Sequence, residues 1–251
     1  MEKRIENFWG NRILFSWGNY EQMRKSRYDT HPYMLKTFEF DKFEDKTVLE
    51  LGCGGGIDSA EFARNGALVY ATDINPNAVD YTKNLLEKLE LKNTITSTLD
   101  SRNMNIIGNN SIDHVYSFGV LHHIPDVYKT LHEIYRVLVP NGTVHIMVYN
   151  KDSAMYKQCI LHGIEDGKFD EGMTEDEIFA YYSEYKLGCP YSKAYTKRQI
   201  TNLFWATAPF ENIVVTYHHP VIRDKERNKF RFKGPKELGY HLVIKARKGE
   251  C

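Results

Sequence analysis

The sequence predicts an α/β fold in which a doubly wound, mostly parallel sheet carries helices on both faces. Between residues 46 and 150, short apolar runs alternate with segments of helical periodicity. The first run leads into a glycine-rich turn, and the second run ends in a carboxylate, Asp73. In open sheets of this kind, ligands bind at the carboxyl ends of the strands, so we expect a binding site at this turn.

The first elements follow in order along the chain. Thr47–Leu51 is short and apolar, which is typical of a strand buried on both faces. Gly52, Gly54 and Gly56 then allow the backbone to bend sharply and a ligand to approach it closely. A helix follows the turn, and a second strand ends at Asp73.

Later helices are predicted from their ends. Asn75 and Pro76 supply a cap and a first-turn proline for a helix to about residue 90, and Pro125 starts another that reaches residue 138. Capping boxes predict two more helices, one from Thr174 to about residue 186 and one from Thr196 that ends before residue 209. The last two strands are expected over 213–218 and 241–246.

The chain divides into one elaborated domain with two additions. The predicted segments are an N-terminal aromatic arm (1–45), a cofactor-binding core (46–150), an insertion after the fifth strand (151–195), and the last helix and two strands of the core (196–251).

The spacing of the glycines separates two classes of cofactor. Dinucleotide sites have the pattern G-x-G-x-x-G, but Ile57 occupies the third glycine position counted from Gly52. Glu50 would repel a pyrophosphate, whereas it would tolerate or attract a cofactor with sulfonium and ammonium charges. The turn therefore favours S-adenosylmethionine over a dinucleotide.

The segment 50–56 reads E-x-G-x-G-x-G and resembles the first motif of the class I S-adenosylmethionine-dependent methyltransferases. The segments 112–126 and 133–142 also resemble that family, so the likeness covers residues 46 to 150. It implies a seven-stranded, Rossmann-like sheet with an antiparallel last strand. It also implies S-adenosylmethionine as the cofactor and S-adenosylhomocysteine as the product.

The same resemblance implies roles for individual residues. Asp73 would bind both ribose hydroxyls, and Asp100 would meet the adenine amino group. The full set of cofactor-binding residues that it implies is Glu50, Gly52, Cys53, Gly54, Asp73, Ile74, Asp100, Ser101, Phe118, Gly119 and His123.

Methyl transfer from a sulfonium is an in-line displacement, so the protein mainly has to position the nucleophile and exclude water. A base is needed only where the acceptor must lose a proton. The candidate catalytic residues are His122, His123 and Tyr149, which lie just beyond the predicted fourth and fifth strands. The alternative left open is that the histidines only line the cofactor pocket.

Aromatic residues are concentrated in the arm and the insertion, and both segments flank the carboxyl ends of the strands. We hypothesise that the two segments form a lid over an acceptor chamber; the alternative is that the rings simply pack the additions onto the core. The residues are Phe8, Trp9, Phe15, Trp17, Tyr20, Tyr28 and Tyr33 in the arm, and Tyr156, Tyr181, Tyr182, Tyr185, Tyr191 and Tyr195 in the insertion.

Charge and hydropathy restrict the partners. With 33 basic and 33 acidic residues, no overall charge favours nucleic acid or an acidic membrane. The segment 223–236 has seven basic and two acidic residues. The alternatives for it are a ribbon that binds phosphate or nucleic acid and a solvated hairpin, and we favour the hairpin. No apolar run is long enough to span a membrane and the N-terminal residues lack a signal-peptide core, so we expect a cytoplasmic protein. Homodimerisation is left open.

Cysteine and histidine spacing predicts neither disulfides nor a metal site. The four cysteines have no short paired spacing, so free thiols are expected. The adjacent histidine pairs 122–123 and 218–219 would face opposite ways on a strand.

The sequence thus predicts an enzyme that methylates an oxygen, nitrogen or carbon atom of a small-molecule metabolite. Three alternatives remain at this point: a methyltransferase of RNA or protein, a nicotinamide-dependent oxidoreductase, and a non-catalytic protein that binds a nucleoside cofactor.

Overall fold

The structure is a computed structural model that describes residues 2–10, 18–184, 188–219, 221–224, 229–232 and 235–250. Its strands are β1 Thr47–Leu51, β2 Leu68–Asp73, β3 Thr94–Thr98, β4 Ile112–Phe118, β5 Leu138–Tyr149, β6 Phe210–His218, β7 Val221–Asp224, β8 Lys229–Phe232 and β9 His241–Lys248. Its helices are α1 Glu2–Gly10, α2 Tyr20–Thr30, α3 Met34–Phe38, α4 Ile57–Arg64, α5 Pro76–Lys88, α6 Val127–Val137, α7 Ala154–Glu165, α8 Glu175–Ser183 and α9 Lys197–Thr207.

Within the described residues, seven strands form one sheet in the order β3-β2-β1-β4-β5-β9-β6. Strands β1 to β5 pair in parallel, and β9 is antiparallel to both of its neighbours, β5 and β6. The predicted fold class is therefore confirmed, including the antiparallel last strand. The strand order reverses between β1 and β4, which places the crevice typical of ligand binding there.

Local signals set most helix ends. The Asn75 side chain caps α5, and the capping boxes that begin at Thr174 and Thr196 both form, which confirms the predicted starts of α8 and α9. Helix α6 begins after Asp126, whose side chain caps it. Helix α7 was not predicted, although Ser153 provides an N-cap by accepting a hydrogen bond from the backbone N–H of Tyr156.

Alternate residues of β1 enter different cores, because neighbouring side chains of a strand point to opposite faces. Val48 packs in the cluster that includes α2 and α3, and Leu49 packs on the opposite face with α6 and α9. Met23 and Phe38, both from the predicted arm, are buried in the first of these clusters. Helices α2 and α3 are therefore part of the folded core.

Two ion pairs attach α2 to α4. Arg24 contacts both carboxylate oxygens of Glu61, at 2.6 and 2.7 Å. Arg27 contacts both oxygens of Asp58, and the side chains of this second pair are 11% and 3% exposed. Such two-point pairs hold both geometry and orientation, so α2 has a defined position beside the glycine-rich turn.

The insertion forms its own small core next to the end of β5. Helices α7 and α8 pack together through Cys159, Ile178 and Phe179, with Tyr149 and Tyr240 against them. Phe15, Trp17 and Tyr185 lie outside the described residues, as does much of the basic segment 223–236. Among the helices that are described, none is both long and apolar enough to cross a membrane.

Candidate functional site

The glycine-rich turn joins β1 to α4 and is tied to β2. The N–H groups of Gly52 and Cys53 both donate to the carbonyl of Thr72, at 2.7 and 2.8 Å. Gly52 has φ 84°, and a Cβ there would lie 2.2 Å from Val120 Cγ2, so only glycine fits this position. Gly54 has φ 51°, and a Cβ there would meet no heavy atom within 4 Å. The turn therefore leaves open space in front of Gly54.

Asp73 faces this turn from the end of β2. Its carboxylate accepts hydrogen bonds from the N–H groups of Gly54, at 3.0 Å, and Asn75, at 2.9 Å. Burial raises the pKa of Asp73 above its ordinary value, against the opposing effect of these backbone donors. A carboxylate offers about four lone-pair sites, so acceptor capacity remains for ligand hydroxyl groups.

Glu50 is buried beneath the turn. It accepts a hydrogen bond from Ser59 Oγ. Burial, with the nearby charge of Asp58, raises the pKa of Glu50 to about 8. A positive charge placed beside this carboxyl group would favour its ionised form.

Asp58 and Arg27 form a buried polar network that the sequence did not predict. The Asp58 carboxylate also accepts hydrogen bonds from the hydroxyl groups of Tyr28, at 3.1 Å, and Tyr116, at 2.7 Å. The guanidinium of Arg27 lies 4.5 Å from the ring centroid of Phe118. The network therefore joins α2, α4 and β4 at the floor of the site.

These groups line a cavity of about 1120 Å³. The volume exceeds the range of roughly 300–1,000 Å³ that is usual for a site holding one drug-sized ligand. All of the predicted cofactor-binding residues line it, as does Tyr149: Glu50, Gly52, Cys53, Gly54, Asp73, Ile74, Asp100, Ser101, Phe118, Gly119 and His123. His122 is not among the lining residues.

The sequence model of the family described as "Methyltransferase domain" matches residues 49–146, the span that carries this turn and Asp73. The chain therefore contains a methyltransferase domain of the class I, S-adenosylmethionine-dependent type. Its cofactor is accordingly S-adenosylmethionine.

Curated relatives of the methyltransferase include enzymes named ubiquinone biosynthesis O-methyltransferase. The one from Haemophilus ducreyi is 24% identical over 213 residues, which cover 74% of this chain and 89% of the relative. The one from Actinobacillus pleuropneumoniae serotype 7 is 26% identical over 177 residues, which cover 64% of this chain and 73% of the relative.

Solved structures of two further proteins show the same fold. A methyltransferase from Aquifex aeolicus superposes with a TM-score of 0.57 at 18% identity, covering 92% of this chain and all of the other. One from Methanosarcina mazei superposes with a TM-score of 0.60 at 18% identity, covering 83% and 94%.

The residues of the methyltransferase fit this cofactor. The space in front of Gly54 allows a ligand to approach the backbone, and the Asp73 carboxylate beside it suits a ribose. Glu50 supplies a carboxyl group that a nearby sulfonium or ammonium would hold ionised.

Asp100 and Ser101 follow β3 on the adenine side of the predicted site. The Asp100 carboxylate receives hydrogen bonds from Arg102, including one of 2.7 Å from Nη2. Burial alone would raise the pKa of Asp100, but these hydrogen bonds outweigh it and hold the pKa below its ordinary value. Ser101 Oγ lies 3.2 Å from Thr130 Oγ1. The adenine contact of Asp100 stays a prediction.

The structure separates the two adjacent histidines of the methyltransferase. His123 lines the cavity, where Nε2 lies 3.6 Å from Glu184 Oε1 and Nδ1 lies 2.9 Å from the carbonyl oxygen of Tyr191. His122 is fully buried and packs against the Tyr149 ring, with centroids 3.8 Å apart and the ring planes tilted by 32°. The Tyr149 hydroxyl donates to Glu184 Oε1 at 2.8 Å.

Several contacts at the cavity wall were not predicted from the sequence. Trp9 of α1 contacts His123, with ring centroids 4.8 Å apart, and its carbonyl accepts a 2.7 Å hydrogen bond from Asn75 Nδ2. Three histidines from distant segments also meet at the cavity wall: His31, His219 and His241. The spacing argument considered only adjacent histidine pairs and could not find this cluster.

Proposed function

We propose that the protein transfers a methyl group from S-adenosylmethionine to a hydroxyl oxygen of a small-molecule acceptor, with His123 as the base. The observation that carries this proposal is the His123–Glu184 pair at the wall of a cavity large enough for two ligands. The curated relatives, named as O-methyltransferases, support an oxygen acceptor.

The residues around the cavity favour a small molecule over a macromolecule. Helices α1, α7 and α8 all contribute lining residues, among them Trp9, Met155 and Tyr182. A chamber with such walls on several sides admits a metabolite more readily than a folded protein or an RNA helix. We infer that these helices, rather than the whole predicted arm, act as the lid.

The cofactor would be held at the β1–β2 side of the cavity. Gly54 would lie against it, Asp73 would accept hydrogen bonds from the ribose, and Glu50 would stabilise its positive charge. When bound there, S-adenosylmethionine supplies an electrophilic methyl group on a sulfonium.

His123 is suited to accept a proton. A carbonyl oxygen can only accept a hydrogen bond, so the contact with Tyr191 requires Nδ1 to carry the proton in the neutral ring. Nε2 then has the lone pair. The nearby Glu184 carboxylate would stabilise the imidazolium formed when Nε2 takes the acceptor's proton.

Tyr149 and His122 act on this pair indirectly in our proposal. Burial and the adjacent Glu184 raise the pKa of Tyr149 well above its ordinary value, so its hydroxyl keeps its proton, which it donates in the hydrogen bond to Glu184 and which leaves it unable to act as the base. The hydroxyl would hold Glu184 in place, and the His122 ring packs against the Tyr149 ring and would fix its orientation. Both are positioning residues.

The proposal is tested by incubating the full-length protein with methyl-labelled S-adenosylmethionine and separate panels of phenols and alcohols, amines, thiols, RNA and protein. We expect label in a hydroxyl compound, and we expect the His123→Ala variant to lose that activity while still binding S-adenosylhomocysteine. Label that enters only RNA or protein would contradict a small-molecule acceptor and support the first alternative.

A parallel calorimetric titration compares S-adenosylhomocysteine with NADH. Binding of the former alone is expected, and binding of NADH alone would revive the oxidoreductase alternative. The cytoplasmic location and homodimerisation stay predictions.

A further inference from the structure

Three imidazole rings converge at one wall of the cavity. His31 follows the end of α2, His219 follows β6, and His241 begins β9. Their ring centroids lie 4.7 Å apart for His31 and His219, 4.6 Å for His219 and His241, and 5.3 Å for His31 and His241. One ring nitrogen from each lies within 4.8 Å of the other two.

The backbone and the neighbouring residues hold these rings in place. His219 adopts φ 57°, a left-handed conformation that costs a non-glycine residue about 1–3 kcal/mol and therefore has to be held by the surrounding structure. Its carbonyl accepts the N–H of Tyr240, the residue before His241, so two of the histidines are fixed relative to each other. Tyr33 Oη contacts His241 Nδ1 at 2.6 Å.

At His31, one ring nitrogen lacks a hydrogen bond among the described residues. Nδ1 of His31 is buried and makes no hydrogen bond to any described residue. No carboxylate of the described residues joins the three rings within the same short distances. Buried polar groups are normally satisfied, so this convergence of imidazoles indicates a ligand that binds them together.

We propose that His31, His219 and His241 bind one divalent transition-metal ion, with Zn²⁺ the best fit, and leave a coordination position open to the cavity. Three neutral imidazoles suit zinc, whereas Mg²⁺ and Ca²⁺ prefer oxygen ligands. Zinc-to-nitrogen bonds of about 2.0–2.1 Å would place the three nitrogens roughly 3.4 Å apart, so the rings need only a small inward movement.

The surroundings are compatible with a bound cation. Burial and the positive charge of Arg27 lower the pKa of His31, so its ring is neutral and can bind a metal. The charge of Arg27 is itself paired with the Asp58 carboxylate. Tyr33 can accept a hydrogen bond from His241 Nδ1–H, which leaves Nε2 for the metal; partners of this kind orient metal-binding histidines.

The position of the cluster suggests what the open coordination position receives. His241 pairs with Tyr149 across β9 and β5, whereas Asp73 ends β2 on the other side of β1. The metal would thus face the acceptor part of the cavity, and an acceptor hydroxyl or thiol could become its fourth ligand. This last step rests on the proposed function; metal binding itself does not.

The test uses full-length protein treated with a chelator, dialysed and titrated with ZnCl₂ in a calorimeter, with bound zinc counted by emission spectrometry. We expect about one zinc per chain. His241→Ala and His31→Gln should each weaken binding by ~100-fold or more, and Tyr33→Phe by ~10–100-fold, as for other residues that orient a metal-binding histidine. His132→Ala, an exposed histidine on α6, is the matched control and should bind zinc as the unaltered protein does.

Each variant is also titrated with S-adenosylhomocysteine, which reports a folded cofactor site independently of the metal. Failure to bind zinc saturably, or unchanged affinity in both His241→Ala and His31→Gln, would overturn the proposal. So would loss of binding in His123→Ala with retention in His241→Ala, because the ion would then lie at His123 and Glu184. Zinc binding without any methyl transfer would leave the metal site standing and overturn only the proposed function.

Discussion

Nε2 of His123 lies 3.6 Å from Oε1 of Glu184, and this carboxylate is the acidic group that opposes the effect of burial on the histidine. Burial lowers the pKa of His123 below its ordinary value, and Glu184 raises it part of the way back. The pair therefore sets the pH range in which His123 is a neutral base.

We predict an acidic limb in the pH profile of kcat/KM. A base must be unprotonated, so kcat/KM should be maximal above the pKa of His123 and fall as the pH decreases through that pKa. The pKa lies below the ordinary histidine value of about 6.5. Glu184→Gln removes the negative charge that raises the pKa of His123, so the acidic limb should move to lower pH. The maximal kcat/KM should also fall, because the imidazolium loses the charge that stabilises it. A limb that stays in place in Glu184→Gln, or that depends on His122 instead, would contradict this assignment.

Asp73→Asn should weaken binding of S-adenosylhomocysteine by ~10–100-fold, because a hydrogen bond to a charged group contributes about 1.5–3 kcal/mol. Calorimetry measures the change directly. Asp80→Asn, an exposed position on α5, is the control and should bind normally. Equal affinities for the two variants would remove Asp73 from the ribose site.

Arg27→Met should lower the free energy of unfolding by about 3–5 kcal/mol, because it leaves the buried Asp58 without its cation. Urea titration of Arg27→Met, Asp58→Asn and the double variant measures the coupling, and the double variant should be more stable than Arg27→Met. Lys25→Met breaks an exposed pair with Asp29 and should change stability by less than ~1 kcal/mol. If Arg27→Met and Lys25→Met lowered the free energy of unfolding by similar amounts, burial of the Arg27–Asp58 pair would have no effect on stability.

Substitutions at the two ends of the glycine-rich turn should have different effects. Gly54→Ala adds a methyl group to open space, so its cost to stability should be limited to about 1–2 kcal/mol of left-handed strain, with weaker cofactor binding. Gly52→Ala has the same strain and also a clash with Val120, so it should destabilise the protein more. Urea titration and calorimetry with S-adenosylhomocysteine separate the two results. Normal cofactor binding by Gly54→Ala would argue against a close approach there.

Removal of residues 1–10 should lower turnover but leave most of the free energy of unfolding intact, because α1 covers the cavity while α2 belongs to the core. Removal of residues 1–30 should instead unfold the protein, since it deletes Met23, Arg24 and Arg27. Urea titration and methyl-transfer rates test both. Full turnover after the shorter deletion would exclude α1 as a lid.

The parts of the fold that were predictable depend on contiguous residues. The apolar run of β1, the cap at Asn75 and the capping boxes at Thr174 and Thr196 act within a few residues of themselves, so the sequence displays them directly. The glycine-rich turn and Asp73 also lie within a single strand-helix-strand unit. Helix α7 was missed because Ser153 alone is a weak signal without a capping box.

The parts that were not predictable depend on contacts between distant segments. Glu184 reaches His123 only because α8 packs beside the end of β5, and Arg27 reaches Asp58 only because α2 packs on α4. His219 reaches its cluster in a left-handed backbone conformation, which no pattern of residues in the sequence predicts.

The sequence by itself determined the sheet, the glycine-rich turn and the class of cofactor, because strand periodicity and the glycine motif are local. Only the tertiary structure decided which histidine faces the cavity, which carboxylate accompanies it, and that three other imidazoles meet. Those relationships depend on the packing of rings and ion pairs from segments far apart in the chain, where adjacency in sequence carries no information about distance in space.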